Sequence, residues 1–390
     1  MIAVHPPIHA RYDVIVVGAR VAGASVARLL ARHGRRVLVV DKGRHGTDTL
    51  STHALMRGGV LQLARWGLLP RIVAAGTPAV KRATFLYGTE RLAVDVKPRD
   101  GVDALYAPRR TVLDRVLVDA AVEAGVQVSY GVWVHELTRR PDGRVGGLRL
   151  RGHDGWEQSV DADLVIGADG VYSTVARLVG AEVTHRDEAA AANVFGYWSN
   201  LPVDGYRWYY QPGSSVGAIP TNDGLTCLFA SVPARRFDDC FTGDVAGGYR
   251  RVLDDAGADL VDLLRDARPA SPLRGFAGVP AFFRRGTGPG WALVGDAAYF
   301  KDPITAHGIT DALIDAEHLA RAVVAGTDGA LADYDATRRG RCATLFEVTQ
   351  RLASFEWTLD EARLLHKQLA AAMGDEVKAI HEWSAEEATV

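Results

Sequence analysis

Two glycines and an aspartate near the start of the chain are spaced for binding a diphosphate. Gly18 follows the apolar run Tyr12–Val17, and Gly23 lies five residues further on in the segment Gly-Ala-Arg-Val-Ala-Gly. Gly18 permits a tight turn after a strand, and Gly23 allows the next helix to pack closely against it. The N–H groups at the helix start, from Arg20 on, would face a dinucleotide pyrophosphate. Asp41 ends the next apolar run, where an acid accepts hydrogen bonds from ribose hydroxyls.

Two later segments also place an aspartate at the end of an apolar run. Asp169 follows the run Asp163–Ala168, and Asp296 follows Trp291–Val294 and Gly295. An aspartate at such a strand end can hold a ribose or ribityl hydroxyl. The start of the helix that follows Asp296 can face negative charge that develops on a flavin ring.

The apolar runs before these motifs predict strands that are buried on both faces, as in a parallel sheet. Between the first two runs, Val21–His33 has helical spacing and ends at Gly34, which predicts a β-α-β unit. Residues 193–233 instead alternate and are rich in aromatics, which predicts an antiparallel sheet. We therefore predict an α/β fold with an α+β insertion: a Rossmann-like nucleotide-binding domain with an inserted antiparallel-sheet substrate domain. The predicted boundaries are 1–82, 105–185 and 275–325 for the nucleotide-binding domain, 83–104 and 186–274 for the substrate domain, and 326–390 for a C-terminal helical segment.

The composition is that of a globular protein. The chain has 390 residues, of which 48% are hydrophobic and 24% charged, and its formal net charge is −2. No stretch approaches the ~20 apolar residues that a membrane span needs, and the charge does not favour nucleic acid or an anionic membrane as partner. The three cysteines form no CxxC pair, and residues 1–11 contain no apolar signal sequence. We therefore expect a reducing compartment, the cytoplasm.

Taken in order, the three motifs resemble those of the FAD-dependent aromatic hydroxylase-like monooxygenases, which have the p-hydroxybenzoate hydroxylase fold. The resemblance covers nearly all of residues 12–325. It implies FAD as cofactor and NAD(P)H as a transient co-substrate. It also implies that O₂ hydroxylates an electron-rich, aromatic or polycyclic small molecule through a C4a-hydroperoxyflavin. The positions that match the family's cofactor contacts are Gly18, Arg20, Val21, Ala22, Gly23, Asp41, Lys42, Thr52, His53, Arg110, Val134, Asp169, Gly295, Asp296 and Gly308.

Four positions depart from the family pattern. Arg20 replaces the middle glycine of GxGxxG, a GxRxxG variant that also occurs in this broad family. Tyr299 stands where histidine is common, and Ala306 and Thr310 replace the glycine and asparagine of a PxxGxGxN stretch. These changes affect the expected hydrogen bonding at the flavin pyrimidine, not the class of cofactor.

Three alternatives share the fold. A flavin-dependent halogenase carries a WxWxIP segment, but here Ser215 and Gly217 replace the two tryptophans before Ile219-Pro220, which counts against halogenation. A reductase of the geranylgeranyl-reductase type would reduce double bonds without O₂. A non-catalytic flavin-binding protein is the least supported alternative.

The sequence assigns no catalytic acid, base or metal ligand. His53 and His307 lie in loops that the resemblance places near the flavin, where each could position substrate or transfer a proton, but a loop-stabilising role is the simpler interpretation. The aromatic residues between 198 and 210 could form a wall over the flavin, and strand alternation directs about half of them to the opposite face. A monomer and a homodimer are both compatible with the sequence.

Overall fold

The structure, a computed structural model, describes residues 7–387. Its strands are β1 (Arg11–Val17), β2 (Val37–Asp41), β3 (Arg82–Tyr87), β4 (Glu90–Asp95), β5 (Gln127–Tyr130), β6 (Val132–Arg139), β7 (Val145–Gly152), β8 (Glu157–Gly167), β9 (Val183–Arg186), β10 (Ala191–Ser199), β11 (Tyr206–Gln211), β12 (Ser214–Pro220), β13 (Thr226–Pro233), β14 (Arg268–Pro269), β15 (Arg274–Phe276), β16 (Phe282–Arg284), β17 (Thr287–Gly288), β18 (Trp291–Leu293) and β19 (Tyr299–Phe300). Its α-helices are α1 (Val21–Arg32), α2 (Arg57–Arg65), α3 (Leu69–Ala74), α4 (Arg110–Glu123), α5 (Thr174–Val179), α6 (Phe237–Phe241), α7 (Val245–Asp255), α8 (Ala258–Leu263), α9 (Gly308–Ala325), α10 (Asp328–Ala353) and α11 (Leu359–Glu387).

The first sheet has the strand order β17-β18-β8-β1-β2-β5. The pairs β1–β2, β1–β8, β2–β5 and β8–β18 are parallel, which confirms the predicted buried parallel strands. Side chains alternate between the faces of β1. Val14 and Val16 pack with α1, α4 and α9, and Ile15 packs with β6, β7 and α5 on the other face. The carboxyl ends of these strands therefore meet at one edge, beside the starts of α1 and α9.

The second sheet has the strand order β14-β10-β13-β12-β11-β3-β4 and draws strands from both ranges predicted for the substrate domain. It is mixed rather than purely antiparallel, because β11 pairs in parallel with β3. The chain reaches β11 from β3 only after returning through the first sheet, and such a long crossover permits parallel pairing. A small third sheet, β9-β16-β19, connects the two.

Two helices, rather than one continuous helical segment, form the C-terminal region. The chain breaks between α10 and α11, where Phe355 has a φ of +56°. Phe355, Trp357 and Leu365 pack against the second sheet, and Ile380 packs into the core of the first. The segment thus covers both sheets. None of the helices in residues 7–387 has both the length and the apolarity required for crossing a bilayer.

Candidate cofactor and active site

The turn between β1 and α1 requires its two glycines. Gly18 has a φ of +108°, and a Cβ atom there would lie 2.4 Å from the carbonyl oxygen of Ala168 at the end of β8. A Cβ atom on Gly23 would lie 1.8 Å from the carbonyl oxygen of Gly18. Neither contact can be relieved by moving a flexible side chain, because both involve backbone. The glycines therefore bring the start of α1 directly onto the ends of the central strands.

The start of α1 offers unpaired N–H donors. The first helical hydrogen bond runs from the N–H of Ala24 to the carbonyl oxygen of Arg20, at 2.8 Å. The N–H groups of residues 21–23 precede that bond, and no side chain caps this helix start. Such donors, together with the helix dipole, form an anion-binding site.

Two guanidinium groups converge beside this helix start. Arg20 donates to the Asp114 carboxylate at 3.0 Å, and Arg110 donates to the same carboxylate at 2.9 Å. One carboxylate cannot neutralise two arginines, so the group keeps a net positive charge. Asp114 was not predicted as a site residue, although its spacing of four residues from Arg110 on α4 was a usable signal.

Asp41 connects the glycine turn to the end of β2. Its carboxylate accepts hydrogen bonds from the N–H of Ala19 at 2.7 Å and from the N–H of Gly43 at 2.6 Å. Beyond it, where β2 and β5 end, the surface forms a cavity of about 380 Å³. The residues that line this cavity are Gly43, Arg44, His45, Tyr130, Gly131 and His153.

Three further residues, on a strand and in loops, were predicted to contact the cofactor. Lys42 is exposed immediately after Asp41, Val134 is half-buried on β6, and Thr52 is half-buried in the loop before α2. Their contacts with a cofactor stay predictions.

Gly295 brings the third motif against the first. It has a φ of +60°, and a Cβ atom there would lie 3.0 Å from the Cβ atom of Ala22 on α1. Its N–H donates to Asp315 on α9 at 2.8 Å. Asp296, the next residue, keeps contact with solvent through the cleft. The surrounding protein nevertheless removes enough hydration to raise the pKa of Asp296 to about 6. Asp311 adds to this increase, whereas the positive charges of Arg110 and Lys301 oppose it.

The helix α10 anchors this motif from behind. The hydroxyl of Tyr334 donates to the carbonyl oxygen of Leu293 at 2.9 Å. The fully buried guanidinium of Arg338 lies 3.7 Å from the carboxylate of Asp315 and also pairs with Asp335. The C-terminal helical segment thus fixes the backbone at Gly295.

Asp169, in the second motif, stabilises its own turn. Its carboxylate accepts hydrogen bonds from the Ser173 hydroxyl and from the N–H of Thr174, the latter at 2.6 Å. Burial raises the pKa of Asp169, and these hydrogen bonds act against the increase. The predicted contact between Asp169 and a cofactor stays a prediction.

A buried polar network joins the loop before α2 to the second sheet. His53 is fully buried with a φ of +64°, and its Nε2 lies 2.6 Å from the Tyr197 hydroxyl. Tyr197 lies 3.3 Å from the Asp48 carboxylate, which also accepts a hydrogen bond from Arg109 at 2.8 Å. Burial lowers the pKa of His53 to about 3, despite the opposing charge of Asp48. His53 is therefore a neutral member of this network at physiological pH.

Aromatic side chains cover the face of the second sheet that packs against the cofactor domain and the two C-terminal helices. Trp208 and Tyr210 lie on this inner face, whereas Tyr209 lies on the outer one, as strand alternation predicts. A Cβ atom on Gly217 would lie 2.2 Å from the ring of Phe229. Phe229 therefore fills the space that the second tryptophan of a WxWxIP segment would need.

The motifs, the glycine turn and the start of α9 thus surround one cleft. The family model described as "FAD binding domain" matches residues 11–349. The chain belongs to this FAD-binding family. The match confirms the predicted aromatic hydroxylase-like flavoprotein family and makes the protein an FAD-dependent oxidoreductase.

Curated relatives of this flavoprotein include reductases. Digeranylgeranylglycerophospholipid reductase 2 of Methanothermobacter thermautotrophicus is 29% identical over 87% of this chain and 83% of its own length. Menaquinone reductase of Mycolicibacterium smegmatis is 27% identical over 89% of this chain and 85% of its own.

Solved structures share its fold. A triple mutant of the flavin-dependent brominase Bmp2 has a TM-score of 0.81 at 19% identity, with 97% of this chain and 99% of that chain covered. PqsL of P. aeruginosa, in complex with 2-aminobenzoylacetate, has a TM-score of 0.77 at 22% identity, with 93% and 100% covered. These likenesses confirm the fold class.

Proposed function

We propose that the protein is an FAD-dependent monooxygenase that uses NAD(P)H and O₂ to hydroxylate a neutral, electron-rich aromatic or polycyclic molecule. The aromatic inner face of the second sheet, closed off by the cofactor domain and by α10 and α11, is the observation that carries this proposal. A flavin that activates O₂ must be kept from water, and an apolar face of this kind excludes water. A cytoplasmic location and a monomeric or homodimeric state stay predictions.

The residues of the cleft fit FAD. The N–H groups at the start of α1, with Arg20 and Arg110, would hold the diphosphate. The cavity of about 380 Å³ beyond Asp41, which Gly43 and Tyr130 help to line, would take the adenosine side, and Asp296 would hold the ribityl chain. When bound there, FAD would supply the redox chemistry: uptake of hydride from NAD(P)H and reaction with O₂.

The chain's own contribution is positioning and exclusion of water. The start of α9 borders open space, because a Cβ atom on Gly308, its first residue, would meet no atom within 4 Å. At the inner face, the guanidinium of Arg109 lies 2.8 Å from the carboxylate of Asp48, so the two charges neutralise each other. This pairing favours a substrate without a carboxylate.

A second candidate is reduction of a carbon–carbon double bond or a quinone. It is favoured by the names of the curated relatives, which are reductases at 23–29% identity. Halogenation is disfavoured, because Phe229 occupies the space beside Gly217.

One measurement separates the two candidates. Purified FAD-loaded protein would be supplied with NADH or NADPH and a set of uncharged aromatic substrates, and O₂ uptake would be followed with product mass in ¹⁸O₂. A monooxygenase consumes one O₂ per NAD(P)H and incorporates one labelled oxygen atom. Anaerobic NAD(P)H oxidation with menaquinone or a geranylgeranyl lipid, without substrate-stimulated O₂ uptake, would instead support the reductase.

A further inference from the structure

Four buried ionisable side chains meet at the start of α9. His307 Nε2 lies 2.7 Å from the Glu376 carboxylate and 3.7 Å from that of Asp311. The ammonium group of Lys301 pairs with Asp311. All four side chains are less than a tenth exposed. Lys301, His307 and Asp311 come from one short segment, but Glu376 comes from α11, at the far end of the chain. We refer to these four residues as the α9 cluster.

Packing alone does not explain this arrangement. Burying charged groups removes their hydration, and apolar residues of similar volume are often as stable as a buried ion pair or more stable. Because Lys301 already supplies a cation to Asp311, we assign no metal ion to the cluster.

The hydrogen bonds define the protonation state of His307. An ionised Glu376 can only accept, so His307 carries a proton on Nε2. Its Nδ1 atom is buried and has no hydrogen-bond partner among the described residues. Replacing Glu376 by glutamine would then remove one negative charge and keep an acceptor for Nε2.

The electrostatic field of the cluster reaches the floor of the cofactor cleft. Asp311 raises the pKa of Asp296 and Lys301 lowers it, so both charges act at the residue next to Gly295. Gly308, adjacent to His307, borders the open cleft. The cluster therefore lies beneath the helix start that would face the flavin.

We propose that the α9 cluster sets the reduction potential of the bound flavin, with the buried carboxylate of Glu376 acting against the negative charge that reduction adds. The inference rests on the proposed FAD site. Reduction by hydride from NAD(P)H, which becomes NAD(P)⁺, adds two electrons to the flavin. A nearby carboxylate opposes the added charge and a nearby ammonium group favours it. This role makes the C-terminal helix a functional part of the cofactor site.

The test measures the midpoint potential of FAD-loaded protein by reductive titration against a reference dye. Glu376→Gln should raise the potential by about 30 mV, which corresponds to a tenfold change in a two-electron equilibrium. Lys301→Met should lower the potential. If Glu376→Gln does not retain FAD, the potential of Lys301→Met tests the proposal in its place.

Glu317→Gln is the matched control. Glu317 is also a buried carboxylate and lies on α9 itself, about 14 Å along the helix from Gly308, where it accepts hydrogen bonds from Gln62 and Trp66. Its potential should equal that of the wild type. Equal potentials in all the FAD-loaded proteins, or a shift in Glu317→Gln as large as that in Glu376→Gln, would overturn the cluster's role alone. A wild-type protein that binds no FAD would overturn the proposed function as well.

Discussion

The ring of His53 and the hydroxyl of Tyr197 are joined by a 2.6 Å hydrogen bond between the cofactor domain and the second sheet. The imidazole is fully buried and its pKa is lowered to about 3 by loss of hydration. In the unfolded chain it returns to about 6.5. The domain contact is therefore linked to pH.

Acid should weaken the fold partly through this histidine. Between about pH 6.5 and 3 the unfolded chain binds a proton at His53 that the folded chain does not. The free energy of unfolding therefore decreases as the pH is lowered through this range. We expect His53→Asn to flatten this dependence by up to about 1.4 kcal/mol per pH unit. Urea unfolding at a series of pH values measures the slope, and an unaltered slope would contradict the prediction.

Asp302 should change the pH dependence of the free energy of unfolding in the opposite direction to His53. Burial raises its pKa to about 7, despite hydrogen bonds from the N–H groups of Ala191 and Ile304. The folded chain therefore binds a proton at Asp302 before the unfolded chain does, and this residue adds stability as the pH falls from about 7 toward 4. Asp302→Asn should make the loss on acidification steeper.

Arg20 should strengthen FAD binding. Its guanidinium lies at the start of α1 and is held by Asp114 at 3.0 Å. We expect Arg20→Ala to weaken FAD affinity about tenfold, because a charged hydrogen bond contributes on the order of 1.5 kcal/mol. Titration of apoprotein with FAD, followed by quenching of flavin fluorescence, measures the change. Arg11→Ala, which removes an exposed pair with Asp163, should leave the affinity unaltered.

Gly23→Ala should destabilise the protein by several kcal/mol. A Cβ atom there would lie 1.8 Å from the carbonyl oxygen of Gly18, so α1 would have to move off the sheet. Gly340 is the matched glycine, since it lies within α10 with open space around it. Gly340→Ala should stabilise by up to about 1 kcal/mol through helix propensity. Thermal unfolding of both variants measures this, and equal effects would rule out the close-packing explanation.

Ala306 has a φ of +51°, at a position where the resembled family has glycine. A left-handed conformation costs a non-glycine residue about 1–2 kcal/mol. Glycine avoids this cost, but part of the gain is lost because glycine also raises the conformational entropy of the unfolded chain. We expect Ala306→Gly to raise the free energy of unfolding by up to about 1 kcal/mol. Ala312→Gly, in the middle of α9, should lower it, and a decrease in both variants would show that Ala306 is not strained.

The local features of the cofactor domain were predictable from the sequence. The apolar runs that form β1, β2, β8 and β18 predict buried parallel strands, because a continuously apolar strand must be covered on both of its faces. The meeting of Gly18, Gly23 and Asp41 at one turn follows from a single β-α-β unit, in which all three residues are near in sequence.

The long-range partners were not predictable. Asp315 and Glu376 lie on helices, where an acid that is buried by another helix has the same local pattern as an exposed one. The parallel pairing of β3 with β11 likewise depends on which strands meet, and alternation does not encode that. The break at Phe355 has no glycine or proline to mark it, so one helical segment was predicted where there are two.

The anchoring of Gly295 through α9 and α10 has a consequence for biosynthesis. Asp315 and Arg338 emerge from the ribosome long after the glycine turn that would receive the diphosphate. A nascent chain that has folded only its first β-α-β unit lacks the opposite wall of the cleft. Stable capture of the coenzyme should therefore be a late event, which follows the completion of most of the polypeptide and does not guide its earliest folding.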